Sequence, residues 1–311
     1  MELKSVRAFV EVVRRGGFSS AARTLFATQS TVSKAVKQLE QELGTPLLDR
    51  IGHRSVLTAA GEVVYRRGLK LLADRDDLLA EVGEVRGLAR GTLRLGVPPV
   101  GSSLLFAPLF TAYRKRYPGV EVRLVEHGSD QLEAILRAGD IDLAGALLPT
   151  PPDLDSVLLK REPVCAVLPE GHPLARRRSL TLKELASTPF ILFESGFSLH
   201  RIILEASRSA GFEPDVVARS TQIDFMVELV AAGLGVAFLP RVIAHQRTEA
   251  HVRAVLLDEP GTEWAMAMVW RRGAFQSRAA VAMLDLVRET RGLGATGKSR
   301  GGASEAPRRK R

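Results

Sequence analysis

"FATQSTVSKAVKQLEQELG", residues 26–44, decides how the chain is read. Counting from Val32 at about 100° per residue puts Val36, Leu39 and Leu43 within about 40° of one line, an apolar stripe for burial. Ser30, Lys34, Lys37 and Gln41 fall on the opposite side, with Glu40 and Glu42 on the flanks. The outer ridge is small, polar and positive, whereas an ordinary solvated helix mixes both signs. Such a face suits a negatively charged partner.

The flanking residues give this helix a context. Residues 2–14 carry Leu3, Val6, Phe9, Val10 and Val13 at helical spacing, and Gly16-Gly17 ends that pattern. Ser19 is placed to cap a second helix, SSAARTLF, with Ala22, Leu25 and Phe26 facing inward. Ala27-Thr28-Gln29 reads as a polar turn and Gly44 as the C′ residue of the helix that follows. Two short helices around a tight turn, the second with a basic outer face, make a helix-turn-helix. TPLLDRIGHRSVLT then gives two short extended pieces about Gly52, with Arg50, His53 and Arg54 at the bend, a small basic hairpin wing.

From Ala59 to about Arg90 one helical pattern persists through Val64, Leu71, Leu78, Val82 and Val85, with Leu72 and Leu79 as a second stripe. A helix this long with apolar stripes needs something to pack against. A second chain is the simplest candidate, and its own domain is the alternative.

The 311 residues suggest two domains or slightly more, and 45% hydrophobic content supplies a core. No run of about 18 apolar residues occurs, so no membrane span is expected, and the N-terminus lacks a signal-peptide pattern. The cytoplasm is the expected compartment. A single cysteine, Cys165, excludes an internal disulfide and a cysteine-cluster zinc site. The net charge of +9 is unevenly placed. Residues 1–90 hold 15 basic and 11 acidic side chains, and residues 291–311 hold 7 and 1, so the stretch between is close to neutral. Basic ends on a neutral body fit a nucleic-acid module joined to a part with another task.

That body begins at GTLRLGVPP and alternates strand and helix. A first unit reads LRLGV, SLLFAPLFTAYRKRY, VEVRLVE, SDQLEAILRAG and DLAGALLP; a second reads PVCAVLP, LTLKELAST, PFILF, LHRIILEASRSAG, DVVARS, IDFMVELVAAG and GVAFLP. MAMVW and SRAAVAMLDLVRET supply a last strand and helix that cross back to the first lobe. Two similar α/β lobes in tandem place a small-ligand cleft between them. The tail GLGATGKSRGGASEAPRRKR has a disordered composition.

The run AFVEVVRRGGFSSAARTLFATQSTVSKAVKQLEQELGTPLLDRIGHRSVLTAAG resembles the winged helix-turn-helix of LysR-type transcriptional regulators. Phe9, the GGFS turn, Ala21-Ala22, Leu25, TQSTVS, Leu39-Glu40, Leu43-Gly44, Leu47, Arg50 and LTAAG carry the resemblance; Leu48 and Gly17 depart from the usual Phe and Ser. The resemblance continues to about residue 290. It implies an α/β fold with an N-terminal winged helix-turn-helix (1–58), a long linker and dimerisation helix (59–90), and a two-lobed effector domain like the type 2 periplasmic binding proteins (91–290). Lobe I would hold 91–165 and 266–290, lobe II 166–265, and 291–311 would be a basic disordered tail outside the family pattern. Homodimers assembling into homotetramers, an interrupted palindromic operator, contact with RNA polymerase and a small-molecule effector are implied with it.

In such proteins the second helix enters the major groove by its N-terminal residues. Gln29 can pair with adenine; Ser30, Thr31 and Ser33 can reach bases or phosphates; Lys34 suits guanine or phosphate, and Lys37 phosphate. The resemblance carries minor-groove or backbone contact to the wing residues Arg50 and Arg54. Ser102 and Ser103 stand at a helix start, where free N–H groups favour an anion. Ser129, then Phe197, Ser198 and His200, then Gln222 stand at three further helix starts, loops that face the cleft in the family. A small organic anion is the expected effector, although as helix caps the serines need no ligand. No catalytic elbow, zinc-binding motif or dinucleotide loop occurs, and no enzyme activity, metal or cofactor is expected. A nonspecific nucleoid-associated protein and a solute-binding protein without regulatory role remain the rival readings.

Overall fold

The computed structural model describes residues 1–51, 54–85, 91–247 and 251–296. They fall into two compact units. Residues 1–89 with 133–142 and 271–277 form one, and most of 90–311 forms the other.

In the first unit, α1 (Leu3–Arg14) buries Val6, Phe9, Val10 and Val12, and α2 (Phe18–Thr24) buries Ala21 and Ala22. The second helix starts at Phe18, with Gly17 rather than Ser19 at the N-cap and no side-chain cap. Helix α3 (Gln29–Leu43) buries Val32, Val36 and Leu39. The stripe stops there: Leu43, expected inside, is 41% exposed, because it lies on the last turn where the chain leaves the core. Gly44, at φ 68, takes the left-handed C′ conformation that ends the helix.

Strands β1 (Leu48–Ile51) and β2 (Arg54–Leu57) pair antiparallel, Leu48 opposite Leu57, as the wing. Helix α4 (Ala59–Val85) begins at a Thr58 cap, whose Oγ1 accepts the Gly61 N–H at 2.9 Å. Gly61 is required there, since a Cβ would lie 2.0 Å from the Leu47 carbonyl oxygen. Val64, Tyr65, Leu69 and Leu72 of α4 pack on the first core, while Leu71, Leu78, Leu79 and Val82 stay 40–59% exposed. Arg90, the expected end of this helix, lies outside the described residues.

The second unit is built on two sheets. Strands β3 (Thr92–Val97), β4 (Glu121–Glu126), β5 (Leu143–Leu147), β6 (Leu154–Glu162) and, near the end of the chain, Trp264–Arg271 make a five-stranded sheet. Strands β7 (Val164–Pro169), β8 (Ser179–Leu180), β9 (Phe190–Phe193), β10 (Val216–Ser220), β11 (Val236–Pro240) and β12 (Val252–Leu257) make a six-stranded one, ordered β10-β9-β11-β7-β12-β8. Trp264–Arg271 is therefore β13, and it returns to pair antiparallel with β5, which gives the order β4-β3-β5-β13-β6. The chain crosses between sheets twice, after β6 and after β12. Both of those strands went unread in the sequence: β6 is buried only at its two ends, Leu154 and Glu162, and closes on the charged run Lys160-Arg161-Glu162, and β12 carries Arg253 as its second residue.

Helices α5 (Ala107–Arg116), α6 (Ser129–Arg137), α7 (Ser198–Ser209), α8 (Ile223–Ala231), the single turn α9 (Arg241–Ala244) and α10 (Arg278–Thr296) complete the fold. LTLKELAST, expected to be helical, yields only a 3-10 turn, Leu182–Leu185, held by a Thr181–Glu184 capping box. Tyr113 on α5 donates to the Ala279 carbonyl of α10 at 2.9 Å, and burial pushes its phenol up to about 12. Helix α10 runs past residue 290 to Thr296, into the segment read as a disordered tail. No described helix is long and apolar enough to cross a membrane.

Candidate nucleic-acid interface and effector site

The start of α3 is organised by a residue that the sequence placed only in a turn. Thr28 is its N-cap, and its Oγ1 accepts the Thr31 N–H at 3.2 Å. The same hydroxyl lies 2.9 Å from Ser30 Oγ and 2.8 Å from Thr31 Oγ1, so three hydroxyls cluster on the exposed tip. Gln29, beside them, accepts from Ser19 Oγ through its Oε1 at 3.3 Å. Ser33 is half-buried, and Lys34 and Lys37 are exposed.

The carboxylates of α3 are engaged away from that face. Glu40 accepts the Leu47 N–H at 2.8 Å and the Leu48 N–H at 3.4 Å, which ties the helix to the start of the wing. Glu42 meets the Met1 ammonium at 2.9 Å and Gln38 at 3.2 Å. The Met1 hydrogen bond, then that of Gln38, holds its carboxyl below the usual range. Lys34 and Lys37 form no ion pair among the described residues. The outer ridge thus keeps a net positive charge because its negative groups are committed elsewhere. Arg50 and Arg54 lie on β1 and β2, facing Ser55 and Ile51 in register; their side chains, and all of His53, lie outside the described residues.

Phe26, expected to face the core, is 98% exposed with φ 51. It occupies the position after α2 at which the chain turns left-handed, and that conformation swings its ring outward. Leu25, its neighbour, remains packed on the core.

The effector candidates fall into separate environments. Ser102 and Ser103 open a π-helical turn, Ser102–Phe106, that precedes α5, and Ser102 Oγ donates to the Pro99 carbonyl at 3.1 Å. Both serines line a cavity of about 300 Å³ with Leu95, Val97, Phe106, Phe110, Leu124 and Glu126. Leu124 and Glu126 sit opposite Leu95 and Val97 in the β3–β4 register, so one sheet face supplies the floor.

Ser129 is buried at the head of α6, and its Oγ accepts the Ser198 N–H of α7 at 3.4 Å. The Asp130 N–H donates to the Gly196 carbonyl at 3.2 Å. Gly128 lies so near this loop that a Cβ would stand 2.8 Å from Gly196 O. The two helix starts therefore meet in a closed seam. Phe197 stacks on Phe193, ring centroids 5.5 Å apart. His200 is 7% exposed, and its Nδ1–H donates to the Phe193 carbonyl at 2.7 Å, so that nitrogen is occupied. Gln222 is the exposed N-cap residue of α8, its backbone N–H on Ser220 Oγ at 3.0 Å.

Sequence reasoning missed Thr28, Glu40 and Glu126. The first two had a signal: Thr28 stands three residues before Thr31 as a cap does, and Glu40 was already placed on a flank of the helix.

A family model described as "Bacterial regulatory helix-turn-helix protein, lysR family" matches residues 3–62, and "LysR substrate binding domain" matches residues 86–292. The uncharacterized HTH-type transcriptional regulator YwbI of Bacillus subtilis (strain 168) is 32% identical over 286 residues, 92% of this chain and 95% of its own. A probable hydrogen peroxide-inducible genes activator of Mycobacterium leprae (strain TN) is 31% identical over 244 residues, 78% of each chain. Among solved structures, the PA01 protein, a LysR family regulator from Pseudomonas aeruginosa, is 26% identical with a TM-score of 0.54, covering 94% of this chain and 99% of that one.

Proposed function

The chain belongs to the LysR family and is a DNA-binding transcriptional regulator with an effector-binding domain; from that premise we propose how its residues divide the work. Residues 1–58 bind DNA, 59–90 link and dimerise, 91–290 bind the effector in two lobes (I, 91–165 and 266–290; II, 166–265), and 291–311 add salt-sensitive affinity for any DNA. Gln29, Ser30, Thr31, Ser33 and Lys34 read the major groove, Lys37 holds phosphate, and Arg50 and Arg54 grip from the wing. The observation that carries this reading is the outer face of α3, with two lysines that form no ion pair among the described residues and both flanking carboxylates bonded elsewhere. The exposed Leu71, Leu78, Leu79 and Val82 on α4 support pairing with a second chain, and pairs of dimers make the tetramer. No described feature calls for catalysis, a metal or a cofactor.

The effector is a small organic anion acting at the seam where α6 and α7 begin, with Ser129, Phe197 and Ser198 at its centre; Ser102 and Ser103 of the neighbouring cavity, the buried His200 and the exposed Gln222 are the further candidates that its entry would recruit. Entry of the anion releases the Asp130 and Ser198 N–H groups from Gly196 and Ser129 and turns them onto its oxygens. Glu126 disfavours an anion deep in the lobe I cavity, which places the charge at the seam. The lobes then change angle, the oligomer changes the bend of bound DNA, and contact with RNA polymerase in the cytoplasm changes with it.

Peroxide, which names one relative, is not proposed as the signal. Cys165 is the single cysteine, 2% exposed on β7, and burial pushes its thiol up to about 11. Oxidation proceeds through an accessible thiolate, which this site does not offer.

Selection from a random duplex pool tests the function. An enriched interrupted palindrome, its half-sites about one helical turn apart or a multiple of that, is the expected result. A pool that stays unselected while binding persists would favour the nucleoid-type alternative.

A further inference from the structure

Phe26 has neither of the two justifications a structural residue usually has. Its ring is 98% exposed, so it contributes nothing to the core. Its backbone is left-handed at φ 51, where a bulky side chain is unfavourable and glycine or asparagine is usual. The turn itself is well formed. The Phe26 N–H donates to the Arg23 carbonyl at 3.3 Å, and the Ala27 N–H to the Ala22 carbonyl at 3.0 Å. These are the two bonds of a Schellman motif, with Phe26 at the C′ position. Glycine would close the same turn with less strain and no apolar exposure. The ring must therefore earn its place outside the domain.

Its location says where. Phe26 stands two residues before the Thr28 cap and three before Gln29, at the leading end of α3. That end enters the major groove in a helix-turn-helix. The exposed hydroxyls of Thr28, Ser30 and Thr31 and the Gln29 amide belong to the same end of the helix, so the exposed ring stands within a few residues of the polar groups that read bases. The apolar feature that B-DNA offers in the major groove is the thymine 5-methyl.

We propose that Phe26 is a specificity-determining residue whose ring packs on a thymine methyl at the edge of each operator half-site. The inference rests on the DNA-reading role of α3.

The test compares wild type with Phe26→Gly and Phe26→Asn, both suited to the left-handed turn. Each is measured for melting temperature, operator affinity and affinity for a scrambled duplex. Each half-site thymine is then replaced singly by uracil, which lacks only the methyl. The variants should melt no lower than wild type and should lose roughly tenfold in operator affinity, as for one lost apolar base contact, with scrambled-duplex affinity unchanged. One thymine-to-uracil change should weaken wild type and leave the variants unaffected. Equal operator affinity in wild type and variants overturns the proposal. So does an equal loss on operator and scrambled DNA, or the absence of any thymine coupled to Phe26. If wild type selects no sequence at all, the DNA-reading role of α3 fails first, a different result from a wild type that selects an operator and variants that match it.

Discussion

Lys34 is exposed at the centre of the outer face of α3 and has no ion-pair partner among the described residues. Its removal should leave the fold intact and weaken operator binding. Lys34→Ala is expected to cost about 1–3 kcal/mol of operator affinity if it reads a base. A gel-shift titration with unchanged affinity would remove it from the interface. Glu40 has the opposite role. Its carboxylate accepts two backbone N–H groups at the entrance to the wing, so Glu40→Ala should destabilise the protein by about 1–3 kcal/mol in urea unfolding. A change within experimental error would mean that solvent replaces both bonds. The residue scale also shows where periodicity misleads. Val32, Val36 and Leu39 follow the helical stripe inward, but Phe26 and Leu43 flank the element and obey the turn geometry of its ends instead.

Among the elements, the three N-terminal helices and the wing were legible because glycines and apolar spacing agree there; the caps were not, since Gly17 rather than Ser19 heads α2 and Thr28 was read as a turn residue. The two lobes were legible as alternating strands and helices, and the return of β13 to the first sheet followed from its place after the second unit. Strands β6 and β12 were not legible, since charged residues interrupt them and their pairing depends on partners remote in sequence. The candidate effector residues were legible as helix starts. Their separation into a cavity, a closed seam, a core histidine and an exposed cap depends on tertiary packing that local spacing does not encode. Helix α4 carries the clearest prediction at this scale. Its exposed Leu71, Leu78, Leu79 and Val82 need a covering surface. Leu78→Glu with Leu79→Glu should shift the protein to a smaller species in sedimentation at micromolar concentration. An unchanged assembly would place the self-association surface elsewhere.

The whole molecule joins a basic reading head to a two-sheet body, with further positive charge at its C-terminal end. That distribution makes two kinds of DNA affinity expected. One is specific and set by α3; the other is nonspecific, salt-sensitive and fed by residues 297–311. The measurement that tests the account most directly is a footprint of the full chain on the DNA upstream of its own gene, at near-physiological salt with competitor DNA. The account predicts a protected interrupted palindrome that survives removal of residues 297–311 and weakens in Lys34→Ala. Diffuse protection that vanishes as salt rises, or that depends on the C-terminal residues and ignores Lys34, would contradict it.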